Sequence, residues 1–267
     1  MIDACKAPAI VSRALHDAFE HKARRMGLDP ANRWIGGYVD YEWQHLRHII
    51  ETLPVRLDGT HVLEFGCNVG ASAILFAALG ARVTAIDIAP DVVELARLNA
   101  HRYGLDAIGF RHVGDTRRLP FDDGAFQMVS CNSVLEYVPP AMLPAVQREI
   151  DRVLAPGGTI LVTGTSNRLS PREVHSRRWL VNYLPRRLDP AGKHVQRGIW
   201  PTAARFGFGR HYDNLDGAGD DGLFARSRRA MGMPHARLAL LQGAAKLLGT
   251  SPGLLSPNIF CVLRKRA

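Results

Sequence analysis

VLEFGCNVGAS, residues 62–72, reads as a buried strand that runs into a small-residue turn and then the first turn of a helix. Glycine at such a turn lets the backbone approach a ligand closely and adopt positive φ, as nucleotide-binding loops require. The glycines here are Gly66 and Gly70, with Asn68 between them. That spacing is not the GxGxxG of a dinucleotide fold, and no GxxxxGK[ST] occurs in the chain, so neither fingerprint applies. Two acids bracket the loop. Glu64 precedes Gly66, and Asp87 ends the next apolar run, where an acid hydrogen-bonds ribose hydroxyls. A nucleoside without a pyrophosphate calls for an acid near an amino group rather than a phosphate cradle, and Glu64 supplies one.

Outward from this stretch the chain alternates. Apolar strands are predicted over 61–66, 82–88, 108–115, 126–134 and 159–165. Helical patterns fall between them, over 70–79, from Asp91 to Gly104, and over PAMLPAVQREIDRVL before APGG. Strands that are apolar on both faces and alternate with helices imply a parallel sheet covered on both sides. Two helical stretches, 8–28 and 34–53, come first. The second carries Trp34, Tyr38, Tyr41 and His45 near one face, with Gly36 and Gly37 odd in its interior. After 165 the pattern loosens. GFGRHYDN suggests a short strand, 220–249 a helix with Leu238, Leu241, Ala245 and Leu248 on one face, and SPNIFCVLRKR a final strand. The predicted fold class is α/β: a Rossmann-like, doubly wound, mostly parallel seven-stranded sheet with N-terminal helices and a helical lid insertion after strand five. The predicted organisation is an N-terminal helical cap (1–56), a nucleoside-binding core (57–165), a substrate-side lid with strand six (166–256) and a closing strand (257–267).

The chain has 267 residues, enough for one large α/β domain with additions. Cys5, Cys67, Cys131 and Cys261 are far apart and form no CxxC pair, which argues against a disulfide framework or zinc site and fits a reducing cytoplasm. No 18-residue apolar run exists, and the first 25 residues carry too many charges for a secretory signal. The expected location is therefore cytoplasmic, without stable membrane insertion. Of the formal +9 charge, +8 lies in residues 168–210, where ten Lys and Arg face only Glu173 and Asp189. Such a segment attracts an anionic substrate, a membrane surface or a nucleic acid, or is a solvated basic face.

Residues 60–165 resemble a class I S-adenosylmethionine-dependent methyltransferase. Glu64, Gly66, Asn68 and Gly70 match the family's acid and GxGxG-like loop, with Cys67 inside it. Asp87 matches the ribose acid and Ile88 the apolar residue beside the adenine. GDTRRLPFDDGAFQMV matches the segment after strand three, with Asp115 at the adenine amino group and Thr116 next to it. CNSVLEYVP, which includes Asn132, matches the strand-four segment below the methionine end, and RVLAPGGTILVT the helix–turn–strand beyond. Asn68 departs from the middle glycine, yet asparagine tolerates left-handed φ best among non-glycine residues. The resemblance implies S-adenosyl-L-methionine as cofactor and in-line attack by an acceptor O, N, C or S on its methyl group. Tyr38, on the N-terminal helices that often lid such sites, is placed to reach the methionine end.

An acceptor hydroxyl usually needs a base. NRLSPREVHSRRWLVNYLPRRL (167–188) resembles a segment of bacterial small-molecule and lipid-type methyltransferases, which makes His175 the candidate base with Glu173 orienting it, or else a polar loop folded over the site. Glu136, just past strand four, is a second candidate, for substrate or for capping. His45 and His48 lack a carboxylate at metal-site spacing. The preferred reading is methylation, most simply O-methylation, of a natural-product, quinone-like, lipid-linked or sugar acceptor, anionic or lipid-linked in keeping with the basic segment. The alternatives are an RNA or protein methyltransferase using 168–210, where Trp179, Tyr183, Trp200, Phe206 and Phe208 interleave with the arginines, and a non-catalytic cofactor-binding partner subunit. Against RNA, strand four ends in Asn132-Ser133-Val134-Leu135 rather than an Asn/Asp-Pro-Pro-aromatic corner.

Overall fold

The computed structural model describes residues 7–189, 195–217, 219 and 221–267. Cys5 and Lys193 lie outside the described residues. In chain order the elements are α1 (Arg13–Arg25), α2 (Tyr38–Thr52), β1 (His61–Phe65), α3 (Ala71–Ala78), β2 (Arg82–Asp87), α4 (Pro90–Arg102), β3 (Gly109–His112) and β4 (Phe126–Asn132). They continue with α5 (Leu143–Val153), β5 (Leu154–Ser166), α6 (Pro201–Phe206), β6 (Tyr212–Asn214), α7 (Leu223–Ala230), α8 (His235–Leu247), α9 (Pro252–Leu255) and β7 (Asn258–Lys265).

The seven strands form one sheet in the order β3-β2-β1-β4-β5-β7-β6. β1 to β5 are parallel, and β7 runs antiparallel between β5 and β6. Strand order reverses between β1 and β4, which opens a crevice at their carboxyl ends. The apolar runs of β1 and β4 are buried because each face of the sheet carries helices. On one face α2, α3, α4, α7 and α8 pack around Val62, Phe76, Met128, Phe224 and Phe260. On the other, α5 and α6 pack around Leu63, Val129, Ile150 and Ile160. α3 is made of Ala and apolar residues because seven of its eight residues are buried. Among the described residues no helix is long and apolar enough to cross a membrane.

Two helix expectations are corrected. The helix expected from 34 starts at Tyr38, and residues 31–37 wind as turns. At Gly36 a Cβ would lie 2.0 Å from the Pro30 carbonyl oxygen, so that glycine permits a chain crossing rather than interrupting a helix. The helix expected over 220–249 is two, because Gly232 at φ +75° ends the first and Pro234 precedes the second. Leu238 and Ala245 on the second are buried, whereas Leu248 is exposed.

Arg102 is fully buried at the end of α4 and fastens the N-terminal helices to the core. Its Nε donates to Asn99 Oδ1 at 2.7 Å and its Nη2 to the Gly36 carbonyl at 2.9 Å. Its guanidinium lies 3.9 Å from the Phe19 ring centroid. Asn99 in turn donates through Nδ2 to the Val69 carbonyl at 2.6 Å. One buried polar chain therefore joins the lead-in to α2 with the loop after β1.

Candidate functional site

The crevice at the β1/β4 reversal opens into a cavity of about 860 Å³, within the size range of small-molecule sites. Its floor is the 66–70 loop. Gly66 and Gly70 have φ of +76° and +79°, and Asn68 sits between them at +46°. The Asn68 N–H donates to Asp87 Oδ2 at 3.0 Å and the Ala89 N–H to Asp87 Oδ1 at 3.1 Å. Each carboxylate oxygen keeps a lone pair for a further donor. A Cβ on Gly66 would lie 2.2 Å from Val134 Cγ2, so only glycine fits where the loop passes strand four's exit.

Of the expected cofactor residues, Tyr38, Glu64, Gly66, Cys67, Asn68, Asp87, Ile88, Thr116 and Asn132 line this cavity. Gly70 does not. It caps α3, where its backbone packs against Ala96 and Phe110. Asp115 lies beside the lining rather than in it. Arg117 Nε and Nη2 each hold one of its oxygens at 2.9 Å, and that guanidinium keeps the carboxyl down at about 2. Gly114 and Thr116 reach the wall in its place.

Glu42 is a residue that sequence reasoning missed. It sits on α2, is 3 % exposed, and accepts a hydrogen bond from Asn132 Nδ2 at 2.9 Å. Asn132 Nδ2 also donates to Ser72 Oγ at 2.9 Å. Burial pushes the Glu42 carboxyl up to about 7. Glu64 is 1 % exposed, and its Oε2 has no hydrogen-bond partner among the described residues. Burial first, with the Glu42 charge adding, pushes the Glu64 carboxyl well above the usual range. Two buried acids facing one cavity are costly unless a cation joins them. The one available signal was Glu42's position four residues after Tyr38, on the face turned to the core.

Aromatic rings wall the cavity on the α2 side. Trp34 lies 5.4 Å from Tyr38 and 4.8 Å from Tyr41, and Tyr41 stacks on His45 at 4.1 Å. At the opposite end β5 bends at Gly164, which has φ +67° and sits so close to Ser133 that a Cβ would be 2.2 Å from its Oγ. Ser133 itself is held at φ +51°. Left-handed non-glycine backbone is costly and collects at functional sites.

The three catalytic candidates are brought together in a way the sequence did not foretell. His175 lines the cavity, and its Nε2 donates to Glu136 Oε1 at 2.8 Å. The same oxygen accepts the Ser166 N–H at 3.1 Å. Burial lowers the His175 pKa, but the hydrogen bond and charge of Glu136 outweigh it, so the net direction is up. Because an ionised carboxylate only accepts, Nε2 carries the proton and Nδ1 keeps the lone pair. Glu173 does not touch the imidazole ring, which corrects the expected pairing. It is fully buried, and its oxygens accept the His175 N–H at 3.1 Å and the Ser176 N–H. It shapes the loop, and Glu136 orients the ring.

These residues fit S-adenosylmethionine. Glu64 with its orphaned oxygen and Glu42 suit an ammonium, Asp87 suits ribose hydroxyls, and exposed Ile88 suits the face of a base. The comparisons agree. Residues 62–158 match the model described as a methyltransferase domain. A ubiquinone biosynthesis O-methyltransferase of Xanthomonas campestris pv. campestris is 36% identical over 158 residues, or 56% of this chain. That match spans 64% of the relative's own length. The enzyme of the same name from Xanthomonas euvesicatoria pv. vesicatoria is 34% identical over 176 residues, covering 64% of this chain and 72% of that one. In fold, the chain is similar to an S-adenosylmethionine-dependent methyltransferase from Mesorhizobium loti, with a TM-score of 0.54 at 17% identity, over 84% of this chain and 97% of that one. The chain belongs to the family of class I S-adenosylmethionine-dependent methyltransferases.

Proposed function

We propose that the protein O-methylates a planar, hydroxylated small molecule bound beside the aromatic wall. The observation that carries this reading is the Glu136–His175 pair, which opens into the cavity that holds the 66–70 loop. The bound cofactor supplies a methyl group already activated on a sulfonium, so alignment and exclusion of water are the protein's main tasks. Glu42 and Glu64 hold the ammonium end, and Asp87 holds the ribose. Tyr41, Tyr38 and Trp34 stack the acceptor ring. The acceptor hydroxyl gives its proton to His175 Nδ1, and the Glu136 carboxylate stabilises the imidazolium that forms.

The acceptor's finer nature is read from the walls. Outside the lining, the exposed Trp179, Leu180 and Leu188 support an apolar or lipid-linked tail, and Arg177 and Arg228 in the wall support an anionic group. Residues 166–256 act as the lid over this acceptor. The quinone-biosynthetic relatives support a catechol or hydroquinone ring. The three described cysteines are buried and free, which supports a reducing, cytoplasmic setting.

The test is release of S-adenosylhomocysteine with a panel of catechols and hydroquinones. Wild type turns over at least one of them. His175→Ala loses about 100-fold or more in kcat while binding the cofactor normally. Near-normal turnover by His175→Ala would defeat the base assignment. A second reading, RNA methylation, is favoured by the Arg172 guanidinium 5.9 Å from the exposed Trp179 ring. A salt-dependent gel shift with bulk RNA decides it.

A further inference from the structure

Arg228, on α7, lines the cavity and is half-buried. A guanidinium has five N–H donors. Here one hydrogen bond is made, from Nη1 to the Met231 sulfur at 3.2 Å, and the group lies over the Phe224 ring at 5.0 Å. No carboxylate among the described residues pairs with it. Asp216, whose charge reaches it, accepts the Phe224 N–H through Oδ1 at 2.9 Å and makes no ion pair with it among the described residues. Of the acids that line the cavity, Glu64 keeps one oxygen without a partner, and none forms an ion pair with Arg228 among the described residues. Glu42 is held by Asn132, and Asp87 holds the backbone of the glycine loop. A half-buried guanidinium with most of its donors unused gains from an ion pair, and the cavity is where an anion can reach it. Arg228 lies beside Tyr41, whose ring stacks on His45, so the cation borders the aromatic wall.

We infer that Arg228 is the anion anchor of the acceptor site, and that the acceptor is an aromatic carboxylic acid whose ring stacks on Tyr41 while its carboxylate takes the Arg228 guanidinium. A planar guanidinium matches a carboxylate through two parallel N–H bonds. A single half-buried arginine suits a singly charged group on a flat ring. This inference rests on the proposed methyl transfer to an acceptor in the same cavity.

The experiment uses the full chain saturated with S-adenosylhomocysteine and titrated with 4-hydroxybenzoate, 3,4-dihydroxybenzoate and their methyl esters. Each acid is expected to bind at least about tenfold more tightly than its ester. Arg228→Met removes that preference, Arg228→Lys keeps part of it, and S-adenosylhomocysteine affinity stays within about twofold in both variants. Acids that bind no better than esters, including the case where neither binds, overturn the inference. So does a preference that survives Arg228→Met. Loss of S-adenosylhomocysteine binding in both Arg228 variants would assign the guanidinium to the cofactor's own carboxylate and overturn it too. Failure of the wild type to bind S-adenosylhomocysteine would instead remove the cofactor reading beneath it.

Discussion

Glu136 and His175 stand 39 residues apart in sequence and 2.8 Å apart in space, and their contact joins the exit of β4 to the loop after β5. The carboxylate raises the imidazole pKa above its ordinary 6.5 against the opposing effect of burial. As the proposed base, His175 would act in its neutral form, so kcat/KM should rise with pH through that raised value and then level off. Glu136→Gln keeps an oxygen for the Ser166 N–H but removes the charge. Its rising limb should move to lower pH, with a lower plateau. A pH–rate profile checks this, and an unmoved limb would remove Glu136 from the base's environment.

Glu173 should behave differently, because it grips backbone and not the ring. Burial raises its carboxyl, but the Ser176 and His175 N–H groups outweigh that, and the net direction is down. The stability it contributes is present above the ordinary carboxyl value and is lost as pH falls through the folded one. Glu173→Ala should cost about 2 kcal/mol in denaturant unfolding at pH 7. It should lower kcat by loosening His175 yet leave the pH limb where it was.

Asn68 and Gly66 make a matched pair of loop tests. Asn68 already occupies the left-handed region that glycine prefers, at φ +46°. Asn68→Gly should therefore bind S-adenosylhomocysteine within about threefold of wild type. Gly66→Val should abolish binding, because its first side-chain carbon meets Val134 Cγ2 at 2.2 Å. Isothermal titration separates the two.

Glu42 ties cofactor binding to pH. Its carboxyl sits at about 7 when folded against an ordinary 4.5. Between those values the folded chain keeps a proton that the unfolded chain has lost, so cofactor-free stability falls as pH rises through that window. An ammonium beside Glu42 favours the ionised form, so S-adenosylmethionine should bind more tightly at pH 7.5 than at pH 5.5. Glu42→Gln should flatten that dependence, weaken binding at pH 7.5 by about tenfold, and raise cofactor-free stability at pH 8. A pH-independent affinity in wild type would count against the acid's role.

Arg102 tests the link between the N-terminal helices and the loop. Arg102→Met leaves the Asn99 oxygen and the Gly36 carbonyl without their buried donor. The expected cost is about 2–4 kcal/mol in unfolding free energy. Hydrogen exchange at residues 31–37 should rise before the core strands do.

How far the sequence could be read depends on how local each cause is. β1 and β4 were legible because strands buried on both faces show as apolar runs between helices. The break between α7 and α8 was missed although Gly232 and Pro234 are in plain view, because the apolar face that marked the helix, from Leu238 onward, lies wholly on α8. Gly66, Asn68 and Asp87 could be placed on the cavity wall because a strand's carboxyl end brings its residues there by backbone geometry alone. The bond that Arg117 makes to the Asp115 carboxylate, two residues back, was not foreseen.

By itself, the sequence determined the parallel sheet, the loop with its positive-φ positions and the cofactor class, since these follow from periodicity and from residues adjacent in the chain. Only the tertiary structure decided that Glu136 rather than Glu173 meets His175, that Glu42 joins Glu64, and that Arg228 reaches the cavity without an acid. Those side chains sit on elements far apart in sequence. Packing of α2 and α7 against one face of the sheet brings them to one cavity, and burial then sets their charge.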